Sequence, residues 1–429
     1  MDLDALFEPV SPLAARLRDR GPFESDADVL PQAASVLGEL DEADRIATLN
    51  AHPRLGADPA TLSAHSRSEQ GVDVEVELDE LNRRYEERFG FRFVTFVNRR
   101  SKAEVAGELR RRLAGTRDAE LTAGLDAILR IAEDRLRRSR HEIRYGKAGI
   151  TVYRTYAAPL RDLPPIPESP FVGRGNELFG AQVSVDVFGD NFLGAYTEGD
   201  NSQVVATDTM KNFVHAQAVA FEGATFEGFA SFLAERYLQT YPQMRRVRIT
   251  MRELPYAPRS DRLLSQDRND AAWVKLEADR GGVLALRCGR RDLRLVKLTG
   301  SSFAGFQRDA WTTLPERPDR PLFIFLDVLW RYREVADALD LARRRLVPSE
   351  QVRDLVQAVF DEFVSLSIQH LVHEMGTRLL DRFQQLAEVS FEAQNRLWDT
   401  VAETEGDPRR RVYADPRPAH GVIGLTLRR

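Results

Sequence analysis

The spacing of apolar residues changes once along this 429-residue chain. Up to about residue 140 it follows the helical period: Leu30, Ala33, Ala34 and Leu37 share a face, as do Val105, Leu109 and Leu113. Leu121, Leu125, Ile128, Ala132 and Leu136 form a third such stripe. Residues three and four apart meet on one side of a helix, so each set predicts an amphipathic helix packed on a core. Ser101-Lys-Ala-Glu104 has the form of a capping box, in which a hydroxyl and a carboxylate satisfy the first free amides. Only Phe91–Val97 alternates with period two. Residues 1–140 therefore read as an all-α domain, and the basic run Arg135–His141 marks its end.

Beyond that run the period becomes two. Thr151–Tyr156, Gln182–Phe188 and Arg246–Met251 alternate as strands with one buried face do. A helix is predicted over 225–241 and a turn-rich loop over 255–270. The order then recurs, with strands at 283–288, 293–298 and 322–332, helices across 349–386, and strands near 390–401 and 421–427. Two successive strand-strand-helix-strand-strand halves predict a duplicated α+β region, its halves at 141–280 and 281–429. In the first half, Gln203–Ala206 reads as a short strand running into a helix. Thr207-Asp208-Thr209 marks that helix start with residue types that cap free amides. A hydroxyl and a carboxylate thus stand where a helix presents open N–H groups and the positive end of its dipole.

Composition narrows the function. With 30% charged residues and a net charge of −5, the chain has no electrostatic footprint for nucleic acid. The single cysteine, Cys288, excludes an internal disulfide and a cysteine metal cage. No apolar run nears the ~18 residues of a membrane-spanning helix. Met-Asp-Leu-Asp is not a secretory leader and Leu-Arg-Arg is not a peroxisomal ending, so a cytoplasmic protein with no membrane partner is expected. Of 61 basic residues only Lys102, Lys147, Lys211, Lys275 and Lys297 are lysine. An ammonium can lose its proton when desolvated and a guanidinium cannot, so lysines kept in such a chain are candidates for acid–base work. His370 and His373 fall near one helical face as a candidate metal pair. Ile368, Leu371, Val372, Met375 and Leu379 make that helix amphipathic, however, and no third ligand stands out, so both read as structural.

Asn201-Ser-Gln-Val-Val-Ala-Thr-Asp-Thr-Met-Lys-Asn212 and the upstream Tyr145-Gly-Lys-Ala-Gly-Ile-Thr-Val-Tyr-Arg154 resemble signatures of urate oxidase (uricase), as does Thr299–Leu314. The resemblance implies two tandem tunnelling-fold (T-fold) modules. It implies oxidation of urate by O2 to 5-hydroxyisourate and H2O2 with no cofactor, neither metal nor flavin. Lys147, its pKa depressed, would work through Thr207, with Asp208 nearby. Phe303 would stack on the purine, Arg320 would grip it, Ile368 and Gln369 would hold the opposite edge, and Asn395 would lie above the ring. Such residues suit a flat anion: stacking fixes the plane, a guanidinium forks onto it and amides complete the edge. The resemblance also implies a homotetramer with each urate site shared between subunits. The chain departs from the family after Asn395, where a histidine is usual and Arg396-Leu397-Trp398 stands. That departure motivates an alternative, a non-catalytic T-fold scaffold carrying only an active decarboxylase. A pterin enzyme of the same fold would need a zinc-binding histidine set that the sequence lacks.

The decarboxylase in question is a second resemblance. Ala51-His-Pro-Arg-Leu-Gly56, Ser68-Glu-Gln70, Arg83–Phe93 and Arg99–Glu104 follow in order and resemble the decarboxylase of 2-oxo-4-hydroxy-4-carboxy-5-ureidoimidazoline (OHCU) over nearly all of residues 5–140. Proline after His52 bars helix there and sets it at a turn. The resemblance makes His52 the catalytic histidine, Glu69 its carboxylate and Arg135 its arginine. Pro53, Ser68 and the Val94–Asn98 backbone would line the substrate. Loss of CO2 would leave an enolate to be protonated on one face, which a histidine can do, giving (S)-allantoin. His-Pro-Arg-Leu replaces the family's usual His-Pro-Asp-Leu. The intervening hydrolysis of 5-hydroxyisourate implies a separate hydrolase as partner.

Overall fold

The computed structural model of the chain describes residues 3–23, 25–54, 76–97, 100, 102–139, 141–266, 269–414 and 418–429. These form two compact units, Met1–Glu142 and Ile143–Arg429. The first unit is helical: α1 (Leu3–Leu6), α2 (Pro12–Arg20), α3 (Asp26–Glu39), α4 (Glu42–Ala51), α5 (Val76–Phe89), α6 (Lys102–Arg112) and α7 (Arg117–Ser139). Local chemistry explains the starts. Ser11 Oγ accepts from the Ala14 amide at 3.1 Å, Pro12 supplies the φ a first turn needs, and Asp41 accepts from Asp44 N at 2.8 Å. Leu13, Leu17, Ala33, Leu49, Leu109 and Ala132 are fully buried between these helices. Two expectations change. Phe91–Val97 pairs with no strand among the described residues, because its oxygens are taken by side chains instead. Ser101 of the predicted capping box lies outside the described residues.

The second unit is α+β. Its strands are β1 (Arg144–Thr155), β2 (Leu178–Phe188), β3 (Arg246–Glu253), β4 (Ala257–Pro258), β5 (Leu264–Ser265), β6 (Ala271–Asp279), β7 (Gly282–Lys297), β8 (Leu322–Tyr332), β9 (Leu386–Asn395), β10 (Thr400–Thr404), β11 (Asp407–Tyr413) and β12 (Gly421–Arg428). Its helices are α8 (Leu193–Thr197), α9 (Thr207–Ala220), α10 (Phe226–Thr240), α11 (Ala336–Leu339), α12 (Ser349–Glu362) and α13 (Ile368–Arg382). One antiparallel sheet of eight strands runs β1-β2-β3-β6-β7-β8-β9-β12. The halves match: β1-β2, a helix pair, β3-β6, then β7-β8, a helix pair, β9-β12. Each half thus carries two long helices, and in the first half these are the helix that begins at Thr207 and the one expected over 225–241.

Other differences have local causes. Gln203–Ala206 is not a strand, since the Val205 amide donates to the Tyr145 hydroxyl at 3.1 Å rather than to a ladder. Thr207-Asp208-Thr209 does not cap α9 but opens it, with Ala206 at the cap position. The segments 283–288 and 293–298 are one strand, β7, interrupted by a register shift between Arg290 and Leu293, where Asp292 has φ 62°. β6 was not anticipated, and β10–β11 form a separate hairpin beyond β9. The loop over 255–270 contains the two-residue ladder of β4 and β5.

Alternation decides which face carries stability. Val183, Val185, Val247, Ile249, Val274, Leu276, Ile324 and Leu326 are buried on the face covered by α9, α10, α12 and α13. The opposite face carries an ion-pair lattice, with Arg248–Glu277 at 2.7 Å, Arg291–Asp327 at 3.4 Å and Arg428–Glu388 at 2.8 Å. A buried aliphatic side chain contributes about 1.5–3 kcal/mol and a solvated ion pair about 1 at most, so the helix-covered face holds the fold. Ile249→Ala should therefore cost the second unit about 2–5 kcal/mol. Denaturant unfolding should show that transition move while the first unit, whose core is separate, unfolds where it did.

Candidate active sites

The first set of candidates meets where β1 passes α9. β1 shifts register between Lys147 and Ile150, and a Cβ on Gly146 would lie 1.9 Å from the Val185 carbonyl oxygen, so only glycine fits before the lysine. The Tyr145 hydroxyl, by accepting from Val205 N, ties the strand of Lys147 to the turn ahead of Thr207. Thr207 and Asp208 occupy the first turn of α9, whose leading amides are open. Asp208 accepts from Lys211 Nζ at 2.5 Å and Asn212 Nδ2 at 3.2 Å. The hydrogen bond and charge of Lys211 hold its carboxyl below the usual range, with Asn212 and the charge of Lys147 adding to the effect. Lys147 pairs with Val185 in the β1–β2 ladder, and neither its Nζ nor the Thr207 hydroxyl makes a hydrogen bond among the described residues.

The second set gathers at the opposite end of the sheet. Phe303 and Arg317 exchange backbone bonds of 2.8 and 3.0 Å, and the Arg320 amide donates to Ser301 O at 2.8 Å. Asp319 fixes this corner by accepting from Thr299 Oγ1 at 2.6 Å and Gly300 N at 2.8 Å. The Phe303 and Phe306 rings stack at 4.9 Å, and the Arg320 guanidinium lies 5.6 Å from the Phe303 centroid. Ser302 N donates to Ser365 O at 2.8 Å, which brings the start of α13 alongside. There Ser367 caps the helix through His370 N, leaving the Ile368 and Gln369 amides free, with Ile368 buried and Gln369 exposed. Arg320 and Asn395 line one cavity of about 380 Å³, together with Arg317, Phe323, Trp398 and Tyr413. Burial lowers the pKa of Arg320, and its Nε has no partner among the described residues.

These two sets do not meet within the sheet. β1 is its first strand and β9 its seventh, so six steps of about 4.8 Å put about 29 Å of ladder between them. Where the family histidine would stand, Arg396 turns onto Gln394 Oε1 and lies 4.7 Å from the Phe325 ring. His370 packs edge-on to Phe363 at 4.7 Å, and no group of three or more metal-ligating side chains occurs among the described residues.

In the first unit, α4 ends at His52, and the ring is buried. Arg135 of α7 donates to Leu6 O at 3.1 Å and Glu8 Oε1 at 3.4 Å, and Arg92 donates to His52 O at 2.7 Å. Burial, then the charges of Arg135 and Arg92, push the His52 pKa down to about 3. Glu8 Oε1 lies 3.9 Å from His52 Nδ1. Its charge is shared with Arg135, however, so the ring stays neutral. Pro53 follows at the turn. Arg54, at the position of the family's aspartate, pairs with Glu86 on α5 through Nε at 2.8 Å. Ser68 and Glu69 lie outside the described residues. Glu8, Arg92 and Tyr145 were not singled out from the sequence. Nothing in their local pattern marks them, since each acts on a residue at least 40 positions away.

A helical unit built on a buried histidine–arginine pair, joined to an α+β unit with a stacked-phenylalanine and guanidinium corner, defines a two-part enzyme. The OHCU decarboxylase family profile matches residues 2–137, and the Uricase profile matches 189–281 and 286–424. The chain belongs to the uricase family, with an OHCU decarboxylase unit ahead of the uricase unit. The uric acid degradation bifunctional protein PucL of Bacillus subtilis (strain 168) is 36% identical over 457 residues, covering 100% of this chain and 92% of its own length. The uricase of Haloferax volcanii is 45% identical over 280 residues, 61% of this chain and 91% of that protein. A crystal structure of Bacillus sp. TB-90 urate oxidase superposes with a TM-score of 0.64 at 39% identity, covering 67% of this chain and all of that one. No helix among the described residues is long and apolar enough to cross a membrane.

The His52 environment generates a pH dependence. The folded ring binds its proton with a pKa of about 3, against about 6.5 when unfolded. Between those values the unfolded chain binds more protons, so stability falls as pH falls and is unaffected above about pH 7. Denaturant melts of the first unit should lose up to about 1.4 kcal/mol per pH unit through this window. His52→Gln should remove that part of the slope.

Proposed function

We propose that the chain performs two steps of urate breakdown. In the first, Lys147 acting through Thr207 takes a proton from urate. The purine dianion then passes electrons to O2, and water adds, so that urate, O2 and water become 5-hydroxyisourate and H2O2. Phe303 sets the ring plane, Arg320 supplies the counter-charge, Ile368 and Gln369 hold the far edge, and Asn395 faces O2 or water. No cofactor enters this reading. The observation that carries it is the half-buried Arg320 guanidinium, unpaired at Nε and set beside the Phe303 ring. A cation kept without a partner beside an aromatic face suits a flat anion. Because Arg396 is engaged elsewhere, proton handling rests on Lys147, Thr207 and water.

In the second step His52, helped by Glu69, delivers a proton to the carbon that has lost CO2 from OHCU, with Pro53 and Ser68 beside the substrate. Arg135 holds the carboxylate, and an anion bound there offsets the positive charge that keeps His52 neutral. A separate hydrolase converts 5-hydroxyisourate to OHCU between the two steps. In this reading the domains are 1–140, 141–280 and 281–429, the last two being tandem T-fold modules, and the protein works in the cytoplasm.

The about 29 Å of ladder between β1 and β9 supports sites assembled between subunits of a homotetramer. Thr207→Ala and Arg320→Ala proteins should each be nearly inactive on urate. Refolded as an equimolar mixture they should regain about one quarter of wild-type activity, the random-pairing share of sites with both sets intact. A mixture no better than its parts would place the site within one chain. Lys147→Arg should keep the fold but lose most urate-dependent O2 uptake, since a guanidinium stays protonated. Near-normal uptake would remove the lysine from the mechanism.

A further inference from the structure

The Phe91–Val97 segment is held through its oxygens by charged side chains. Arg112 Nη1 donates to Val94 O at 3.3 Å. Arg100 donates through Nη2 to Phe96 O and to Thr95 Oγ1, the latter at 3.1 Å, and through Nε to Val97 O at 3.1 Å. The Glu108 carboxylate of α6 stands between the two arginines. It accepts from the Thr95 hydroxyl at 3.1 and 3.2 Å, hydrogen-bonds Arg100 Nη1, and lies 3.6 Å from Arg112 Nη1. Arg112 is locked in turn by Glu120 at 2.7 Å, which also takes the Tyr85 hydroxyl at 2.6 Å, and its guanidinium lies 4.7 Å from the Phe93 centroid. Burial pushes the Glu108 carboxyl up. The hydrogen bond and charge of Arg100, with Thr95 and Arg112, outweigh this and hold it below the ordinary carboxylate range.

The amides of the same segment behave in the opposite way. The N–H groups of Val94, Thr95, Phe96 and Val97 find no acceptor among the described residues, although Val94 and Thr95 are buried. Buried amides without an acceptor are rare. A row of open amides, two of them in buried residues, is a set of preorganised donors for carboxylate or ureido oxygens. Such donors help only if their backbone is rigid, and a cavity of about 370 Å³ bordered by Thr95, Glu108 and Arg112 means that packing does not provide the rigidity on this side. The ion pairs must provide it.

We infer that Arg100, Glu108 and Arg112 are positioning residues for OHCU decarboxylation, clamping the Val94–Val97 backbone so that its amides meet the substrate on which His52 and Arg135 act. This rests on the decarboxylase reading above. None of the three touches the reacting atoms. Their effect passes through the segment they hold.

The test is Glu108→Gln in the full chain, which keeps the size of the side chain and removes the charge that joins the two arginines. KM for OHCU should rise about tenfold with a smaller change in kcat, since a displaced backbone weakens the grip on substrate. Amide hydrogen exchange over 93–97 should quicken at least tenfold while α5 and α7 exchange as before. Urate oxidation by the same molecules should be unchanged and serves as the control for folding. Glu108→Asp, which restores the charge, should recover part of the KM. Adding Arg100→Gln to Glu108→Gln should cost less than the sum of the single changes, because both break one network. Unchanged exchange over 93–97, or a wild-type KM despite faster exchange, overturns the inference. A wild-type chain that turns over no OHCU, yet whose 93–97 exchange still responds to Glu108→Gln, refutes the decarboxylase reading and leaves the clamp standing.

Discussion

The second unit depends on one join. β6 and β7 pair from Ala271↔Arg291 to Asp279↔Gly282, and this ladder turns two four-stranded halves into a single sheet. Arg290, only 2% exposed, stands at the join. It reaches Glu253 at the end of β3 at 3.2 Å, Asp270 ahead of β6 at 2.5 Å and Ser349 at the start of α12 at 3.3 Å. A buried guanidinium that lost these partners would cost several kcal/mol, so the three elements are held in one arrangement. With the join closed, the spacing of strands fixes how far apart the outer elements lie. The corner of Lys147 and Thr207 and the corner of Arg320 and Asn395 are then at a set separation that no side chain spans.

On that frame most cations are paired and a few are not. Arginines on the open face of the sheet pair with carboxylates, as Arg248 does with Glu277 and Arg428 with Glu388. Lys147 forms no ion pair among the described residues, and Arg320 is partly buried with an idle Nε. For Arg320 the condition is unfavourable in the free protein, since a partly buried polar atom lacks a hydrogen bond. The first unit reaches a comparable state by the opposite route. Burial, with the charges of Arg135 and Arg92, keeps the histidine neutral, and Glu8 is shared between Arg135 and the ring.

Much of the fold was legible in the chain because it is local. The stripe from Leu121 to Leu136 could only be a long helix, and α7 is one. The alternation in Arg246–Met251 could only be a strand with one buried face, and Val247, Ile249 and Met251 are buried. Phe91–Val97 shows where the same logic fails. Its period-two pattern is real, but its oxygens are taken by Arg100 and Arg112 and no strand among the described residues pairs with it. Gln203–Ala206 fails likewise, since Tyr145 from β1 takes the amide that a ladder would need.

The sequence by itself determined the helical region, the α+β region and the duplication of the latter. Periodicity and short motifs encode these, and both act over a few residues. Only the tertiary structure decided that Arg135 would donate to Glu8 from 127 positions away, that Arg92 would hold the His52 carbonyl, and that Tyr145 would tie β1 to α9. It also decided that Lys147 and Asn395 would stand on strands six steps apart. Such pairings depend on where the sheet and helix bundle bring distant segments together. No local pattern records that, because hydrogen bonds and charges act through space and not along the chain.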